Sequence, residues 1–99
     1  MLNYQIIKSL NYQIKTMNIS ILTPDKEIFQ GAITSVKVPG TDGQFQVLKN
    51  HAPIVSSLGT GDVTVVKEGG EKLTFGIKGG FIEVLNNEVA LLLQGVSMA

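Results

Sequence analysis

The residues best suited to chemistry in this sequence are one histidine and a scatter of serines and aspartates. His51 is the only histidine. A nucleophilic Ser-His-Asp arrangement would combine it with Ser56 or Ser57 and with Asp42 or Asp62. Serine and aspartate are common turn residues, so such combinations arise by chance in most small domains. We therefore predict no catalytic residue, and we expect the His51 ring to hydrogen-bond nearby backbone and brace its turn.

Metal, phosphate and cofactor sites are not predicted either. One histidine, no cysteine and dispersed carboxylates provide no metal-ligand spacing. The run Gly76-Ile77-Lys78-Gly79-Gly80 contains glycine and lysine, but it lacks the Walker spacing and no predicted helix follows it. We expect Gly79 and Gly80 to allow a bulge or the close approach of a neighbouring strand.

The elements that must position these residues are short strands. From Met17 onward, apolar and polar residues alternate between Gly, Pro and Asn turns, which is typical of β-structure. Gly69-Gly70 and Asn86-Asn87 predict tight hairpins, and Gly31 predicts a turn or bulge. The predicted strands are 19–22, 28–29, 33–38, a short one around 45–47, 54–58, 62–67, 72–77, 81–85 and 89–93. This spacing predicts an all-β sandwich or flattened barrel.

The run from Val38 to Pro53 predicts two sharp turns around a short buried strand. Pro39 has a fixed φ, and Gly40 and Gly43 accept the positive φ of tight turns. We expect a rigid loop end with a polar tip, suited to docking. The side chains expected to be exposed there are Asp42, Gln44, Lys49 and His51. Those expected to be buried are Val36, Val38, Val47, Phe75 and Ile77.

Two residues of the strand at 81–85 favour a role at the surface. Glu83 is polar within an apolar segment, so we expect it on an outer face, with a paired buried carboxylate as the alternative. Phe29, Phe45 and Phe75 are most simply core residues. Phe81 is the aromatic residue that we expect to reach the surface at an interface.

The composition indicates one small folded domain. The chain has 99 residues, of which 43% are hydrophobic and 16% charged. Its 8 basic residues are all lysine and balance 8 acidic residues, so nucleic-acid binding is not expected. No apolar run approaches the roughly 20 residues of a membrane-spanning helix. Any association with a membrane should therefore come through partners.

Residues 1–16 differ from the rest of the chain. Leu2-Asn3-Tyr4-Gln5-Ile6 is repeated as Leu10-Asn11-Tyr12-Gln13-Ile14, and the segment holds both tyrosines, two lysines and no acidic residue. We predict that 1–16 is an N-terminal extension, poorly ordered or upstream of a working start at Met17, with a functional arm as the alternative. The folded domain is predicted over 17–99.

Several motifs resemble the epsilon subunit of F-type ATP synthases, in its N-terminal β-sandwich domain. They occur in the family's order and spacing from about Met17 to Leu93. The matching residues are Thr23-Pro24-Asp25, Gly31, Val36, Val38-Pro39-Gly40-Thr41-Asp42-Gly43, Val47-Leu48, His51-Ala52-Pro53-Ile54, Gly61, Gly79-Gly80-Phe81-Ile82-Glu83-Val84 and Asn87. The combination of His-Ala-Pro with Gly-Gly-Phe-x-Glu-Val makes the resemblance specific.

The resemblance implies a flattened sandwich of ten strands in two antiparallel sheets at the foot of the rotor's central stalk. It implies a non-catalytic subunit that links the gamma subunit to the c-ring and supports coupling of proton flow to ATP synthesis. No cofactor and no homo-oligomer are expected. The protein would be peripheral to the cytoplasmic face of the bacterial inner membrane, held there through its partners.

The resemblance also implies roles for particular residues. The loop facing the c-ring would comprise Thr41, Asp42, Gly43, Gln44, Lys49, Asn50 and His51. The structural turns would depend on Pro39, Gly40, Pro53, Gly79 and Gly80. Phe81 and Glu83 would lie at the gamma interface.

The sequence departs from the family pattern in three places. Gln44-Phe45-Gln46 replaces Glu-x-Gly, so Asp42 would have to supply the acidic contact. Lys49-Asn50 replaces Pro-Gly, and asparagine tolerates the positive φ of that turn. The family's C-terminal helical hairpin has no counterpart after Leu93, so its ATP binding and inhibition are not expected.

The alternative function is that of a stand-alone β-sandwich that binds a small ligand or carbohydrate. Such a protein needs an apolar pocket with several converging polar or aromatic groups. The chain has no tryptophan, and both tyrosines lie in the extension, which argues against stacking on a sugar.

Overall fold

The computed structural model describes residues 16–98, and every regular element in that range is a β-strand. The strands are β1 (Met17–Leu22), β2 (Glu27–Gly40), β3 (Gly43–Leu48), β4 (Ile54–Leu58), β5 (Gly61–Lys67), β6 (Lys72–Ile77), β7 (Gly79–Leu85), β8 (Glu88–Gln94) and β9 (Ser97–Met98). Within this range no helix could cross a membrane. The predicted extension, apart from Thr16, lies outside the described residues.

The strands form one continuous hydrogen-bonded sheet that folds into two layers. The order is β1-β8-β7-β4-β2-β5-β6-β9, with β3 on β2 and a second pairing of β1 with β2. The first half of β2 pairs with β1, and its second half pairs with β3 and β5. The all-β prediction is confirmed. Ten strands in two separate sheets are not confirmed, because the 14-residue β2 belongs to both layers.

Strand β2 also corrects the predicted break at Gly31. The sequence predicted two strands here, whereas Gly31 lies inside one strand, opposite Ile19 of β1. A Cβ at Gly31 would lie 3.0 Å from Cζ of Phe29, so the missing side chain leaves room for the Phe29 ring. The irregularity lies instead between Ile33 and Ser35. This bulge turns both Ser35 and the next residue, Val36, inward.

The core between the layers confirms the predicted alternation. Val36, Val38 and Val47 are fully buried, and Phe75 and Ile77 are nearly so. The remaining buried apolar residues are Met17, Ile19, Ile21, Ile33, Leu58, Val63, Val65, Ile82, Val84, Val89, Leu91 and Leu93. This core holds the two layers together and fixes which side chains are left on the outer faces.

The predicted hairpins are present. Gly70 has a φ of 95° in the turn between β5 and β6. Asn86 and Asn87, with φ of 52° and 64°, form the two-residue turn between β7 and β8. These turns position β7, which carries Phe81 and Glu83, between β4 and β8.

Lys67 lies over the ring of Phe29, at the point where β2 and β5 pair. Its ammonium is 4.7 Å from the ring centroid and 3.6 Å from a carboxylate oxygen of Glu71. Lys67→Met retains most of the stem but removes the charge, so we expect a loss of about 0.5–1 kcal/mol in unfolding free energy. Chemical denaturation of this variant beside Lys37→Met, at an exposed strand position, measures the difference. Equal midpoints for the two variants would contradict the cation–π contribution.

Candidate functional site

The turn between β2 and β3 presents Thr41 and Asp42 to solvent on a rigid base. Gly40 pairs with Gly43 across the turn, and a Cβ at Gly40 would lie 2.7 Å from the Gly43 carbonyl oxygen. The Thr41 amide donates to the Ser57 carbonyl at 3.1 Å. This bond ties the turn to the end of β4. Asp42 and Gln44 are exposed, as the sequence predicted.

The connection between β3 and β4, residues 49–53, is tied to the turn between β7 and β8. Asn50 has the expected positive φ, at 68°. Its amide N–H donates to Oδ1 of Asn87 at 2.6 Å, and Nδ2 of Asn87 donates to Oδ1 of Asn50 at 3.1 Å. The Asn87 side chain is 4% exposed, so this reciprocal pair lies at the edge of the core.

His51 has the bracing role predicted for it. Its amide donates to the Leu48 carbonyl, and ring Nδ1 lies 2.7 Å from the Ala52 carbonyl oxygen, where Nδ1–H can donate. These contacts leave His51 half-buried, whereas the sequence predicted that it lies on a solvent-exposed loop end. The Ser56 hydroxyl donates to the Ser57 carbonyl, not to His51. Across residues 16–98, no group of three or more His, Cys, Asp or Glu side chains could hold a metal ion.

Strand β3 separates the seven residues assigned to one c-ring-facing loop into two groups. Thr41, Asp42, Gly43 and Gln44 lie at its beginning, and Lys49, Asn50 and His51 follow its end. The 6-residue strand between them is extended over about 17 Å. The structure therefore presents two polar turns in place of a single tip, one anchored to β4 and the other to the turn between β7 and β8.

Gly79 and Gly80, assigned to a structural turn, are the first two residues of β7, and at Gly80 another backbone comes close. Gly80 has a φ of 149°, and a Cβ there would overlap the Leu92 carbonyl oxygen and lie 3.1 Å from Cα of Leu93. Close backbone approach was predicted at this position and is confirmed. Pro39 packs on Gly61, where a Cβ would lie 2.7 Å from the proline Cβ. Pro53 is exposed at the entry to β4.

The layer made of β4, β7, β8 and β1 has an unexpectedly apolar outer face. Phe81 pairs with Leu92, which pairs with Leu22, so three apolar side chains form one row across the strands. In the next row, Val55 pairs with Glu83. Phe81 is 54% exposed and Val55 72%. We define the apolar outer face as Leu22, Val55, Phe81, Leu85, Ala90 and Leu92.

The opposite outer face is more polar, although exposed Leu48 and partly exposed Val66 also lie on it. On β2, Lys37 pairs with Gln46 of β3 on one side and with Thr64 of β5 on the other. The Thr64 and Thr74 hydroxyls are 3.5 Å apart across β5 and β6. We define the polar outer face as Lys37, Gln44, Gln46, Thr64, Lys72 and Thr74. The two faces of the sandwich therefore present different chemistry to a partner.

Two open clefts lie at one end of the apolar outer face. One, of about 300 Å³, is bordered by Leu22, Phe81 and Leu92. The other, of about 680 Å³, lies between residues 23–28 and 93–96. In the larger cleft the Thr23 hydroxyl donates to the Lys26 carbonyl and accepts from the Lys26 amide, so the turn itself uses this polar group. The smaller cleft extends the apolar outer face, whereas the residues that line the larger one lie outside that face.

A β-sandwich with one apolar outer face and projecting polar turns belongs to the class of domains that bind other proteins. Comparison with known proteins identifies the family. The chain belongs to the ATP synthase delta/epsilon chain family, because the model of that family's β-sandwich domain matches residues 16–99.

Individual relatives agree with this assignment. The chain is 42% identical over 83 residues to the ATP synthase epsilon chain of Chlorobium limicola, covering 84% of this chain and 94% of the relative. It is 44% identical over 77 residues to the epsilon chain of Leptospira borgpetersenii, covering 77% of this chain and 59% of the relative. It therefore spans nearly the whole length of one epsilon chain and little more than half of another.

Comparison with a solved structure agrees with this assignment. The chain is similar to one in the cryo-EM structure of the Euglena gracilis mitochondrial ATP synthase OSCP/F1/c-ring, with a TM-score of 0.78 and 25% identity. The match covers 84% of this chain and 53% of that chain. These comparisons do not favour a stand-alone ligand-binding sandwich.

Proposed function

We propose that this protein is a non-catalytic rotor subunit of an F-type ATP synthase, located in the central stalk. It links the gamma subunit to the c-ring and so supports the coupling of proton flow to ATP synthesis. The observation that carries the proposal is the apolar outer face, on a domain of the delta/epsilon family. A torque-transmitting subunit needs a stiff scaffold with two separate contact regions, and it needs no reactive group of its own.

The gamma subunit binds the apolar outer face in this proposal. Phe81 is its largest side chain, and it lies between Ser57 of β4 and Leu92 of β8. Burial of a large aromatic side chain at the centre of an interface contributes strongly to affinity. Glu83, exposed in the neighbouring row, supplies a charge that a basic group of gamma can meet. The polar outer face is the weaker candidate because, within residues 16–98, Leu48 is the one large exposed apolar side chain beside it, against four on the apolar outer face.

The c-ring contacts the polar turns in this proposal. Asp42 replaces the acidic residue that the sequence lacks at Gln44, and the Thr41 amide bond to Ser57 keeps its turn stiff. Lys49 and His51 form the second polar group, held by the pairing of Asn50 with Asn87. Contact through both groups would spread the load over two turns of one rigid body.

Localisation follows from the partners. The subunit is peripheral to the membrane as part of the F1 portion, on the cytoplasmic face of the bacterial inner membrane. No cofactor is required for this role, since catalysis takes place on other subunits.

The test is the affinity of the protein for the purified gamma subunit. Phe81→Ser should weaken binding about thirtyfold, because a buried aromatic anchor contributes roughly 2 kcal/mol. Gln46→Ser, an exposed change on the polar outer face, is the matched control and should leave the affinity unchanged. Biolayer interferometry gives both dissociation constants. Loss of binding with Gln46→Ser but not with Phe81→Ser would assign gamma to the other face, and no binding by the unaltered chain would refute the proposed function.

A further inference from the structure

Two carboxylates interrupt the apolar outer face, and a partner that binds this face must match them. We propose that the gamma subunit binds here through two side chains about 10 Å apart, one apolar and the other a lysine or arginine. The apolar side chain enters the smaller cleft beside Phe81, and the cation binds between Glu83 and Glu88. The inference rests on the proposed function and specifies the chemistry that gamma presents to this face.

Strand pairing arranges the outward side chains of β1, β8, β7 and β4 in three rows. In that strand order, the rows are Leu22, Leu92, Phe81 and Ser57; then Ser20, Ala90, Glu83 and Val55; then Asn18, Glu88 and Leu85. Neighbouring rows are about 7 Å apart along each strand. Glu83 and Glu88 are therefore diagonal neighbours on adjacent strands, about 8 Å apart.

An open hollow of about 380 Å³ lies between the two carboxylates. We define the acidic hollow by four of the residues that line it, which are Ser20, Glu83, Glu88 and Ala90. The small side chain of Ala90 leaves space beside its longer neighbours, and none of the residues lining the hollow is basic. The ion pair found within residues 16–98 joins Lys67 to Glu71, so neither carboxylate of the hollow has a cationic partner in that range.

A cation from another chain fits the acidic hollow. Both carboxylates accept hydrogen bonds from an ammonium or guanidinium group, and the Ser20 hydroxyl oxygen is a further acceptor. The apolar stem of a lysine or arginine can pack on Ala90 and Leu85 while its charge lies between the carboxylates. Two carboxylates about 8 Å apart also repel each other, and a cation between them removes that repulsion.

The cleft and the acidic hollow together fix how a partner is oriented. The cleft is bordered by Leu22, Phe81 and Leu92, and along β8 the positions of the hollow lie two and four residues from Leu92. The two sites are therefore about 10 Å apart. Turning the partner by half a rotation would place its cation on the apolar cleft and its apolar side chain on the carboxylates. That mismatch disfavours the wrong orientation, as a subunit that transmits torque requires.

Other occupants fit this face less well. A second copy of the chain, bound through the same face about a two-fold axis, would bring Glu83 and Glu88 of both copies together, and like charges oppose such pairing. A neighbouring hollow of about 260 Å³ lies on the other side of Glu83, beside Pro53 and Val55, but it offers a cation only one carboxylate. Glu88 therefore distinguishes the acidic hollow from its neighbour.

Removal of the charges tests the cation. We expect Glu83→Gln and Glu88→Gln each to weaken binding of the purified gamma subunit about fivefold in biolayer interferometry, because each retains the shape of the side chain and removes one acceptor charge. The double variant should lose about tenfold, less than the product of the single effects, because both carboxylates bind the same cation. Glu68→Gln, in the exposed turn between β5 and β6, makes the same change in net charge and should leave the affinity unchanged.

Filling the hollow tests the position of the contact. Ala90→Leu should weaken gamma binding about tenfold, because leucine occupies the space that the cation needs. If apolar contact alone held gamma at this point, the added apolar area would leave the affinity unchanged or raise it. Thr74→Leu, on the polar outer face, is the matched control and should have no effect.

The outcomes separate this inference from the proposed function. Unchanged or tighter binding by Ala90→Leu, or equal losses with Glu68→Gln and Glu88→Gln, would overturn the cation site. Either result would leave gamma on the apolar outer face as long as Phe81→Ser still weakens binding. Absence of binding by the unaltered chain would refute the proposed function and the cation site with it.

Discussion

Replacing Gly80 by alanine is expected to destabilise the domain by about 4 kcal/mol, a large share of the stability of a domain of this size. A Cβ at this position would overlap the Leu92 carbonyl oxygen of β8 and lie 3.1 Å from Cα of Leu93. Both obstacles are backbone atoms of a paired strand, so neither can move without opening the β7–β8 ladder. The φ of 149° adds strain of about 1–3 kcal/mol for any residue with a side chain.

The adjacent Gly79 is the matched control. A Cβ there would lie 3.6 Å from the Leu58 carbonyl oxygen, an ordinary contact, and its φ is outside the left-handed region. Gly79→Ala should therefore change the unfolding free energy by less than about 0.5 kcal/mol. Thermal and urea denaturation of the two variants gives the comparison. Similar losses for both would mean that the ladder tolerates a methyl group at Gly80 and that our account of the close approach is wrong.

The Gly80→Ala substitution should also affect function, because it would disturb the part of the apolar outer face next to it. Gly80 immediately precedes Phe81, which forms one row of the apolar outer face with Leu92 and Leu22. Separation of β7 from β8 would move Phe81 away from Leu92 and break that row. Gly80→Ala should therefore weaken gamma binding even under conditions in which the domain remains folded, whereas Gly79→Ala should not.

Most strands could be predicted from the sequence because their side chains alternate and their turns have distinctive residues. The β5–β6 and β7–β8 hairpins follow from Gly69-Gly70 and Asn86-Asn87, which accept backbone conformations that other residues avoid. Strand β2 was harder, since Gly31 resembles a break. Its position in mid-strand depends on the Phe29 ring packing over it, which alternation alone does not reveal.

The apolar outer face was only partly predictable. Phe81 and Glu83 were expected at the surface, and they lie there. Leu92 was not distinguished from its neighbours. Leu91, Leu92 and Leu93 are chemically alike, so their sequence does not show which of them face the core. The side that is buried depends on pairing with β7, which places Leu92 beside Phe81. The sequence signal that could have revealed this face was the presence of apolar residues at the outward positions of adjacent strands.

The separation of the polar loop residues into two groups also depends on how the strands pair, which the sequence does not show. Pro39, Gly40 and Asn50 indicated turns that do exist. The sequence could not show that β3 keeps the two turns apart, or that hydrogen bonds tie one of them to β4 and the other to the turn between β7 and β8. The pairing of Asn50 with Asn87 spans 37 positions in sequence, so local pattern gives no sign of it.

The second large loss of stability that we expect comes from changing that asparagine pair. Asn87→Ala is expected to cost about 3 kcal/mol, from the loss of an acceptor for the Asn50 amide and from alanine at a left-handed φ. The Asn50 N–H now donates over 2.6 Å to a side chain that is 4% exposed. Removing that oxygen leaves a partly buried donor without its partner. Asn87 also accepts from the Asn18 amide through its backbone, a bond that the substitution retains.

Asn87→Gly separates the two contributions. Glycine adopts a φ of 64° without strain, so this variant should lose only the side-chain hydrogen bonds, about 2 kcal/mol. The matched change on the other side, Asn50→Gly, retains the amide N–H and its bond to Asn87 and should cost about 1 kcal/mol. In a double-mutant cycle, Asn50→Gly/Asn87→Gly should cost less than the sum of the two single changes, because the side chains bond to each other. Denaturation midpoints of the unaltered protein, the two single variants and the double variant give the four stabilities that the cycle compares. Additive losses would mean that the residues act independently and that the connection carrying Lys49 and His51 is held by β3 and β4 alone.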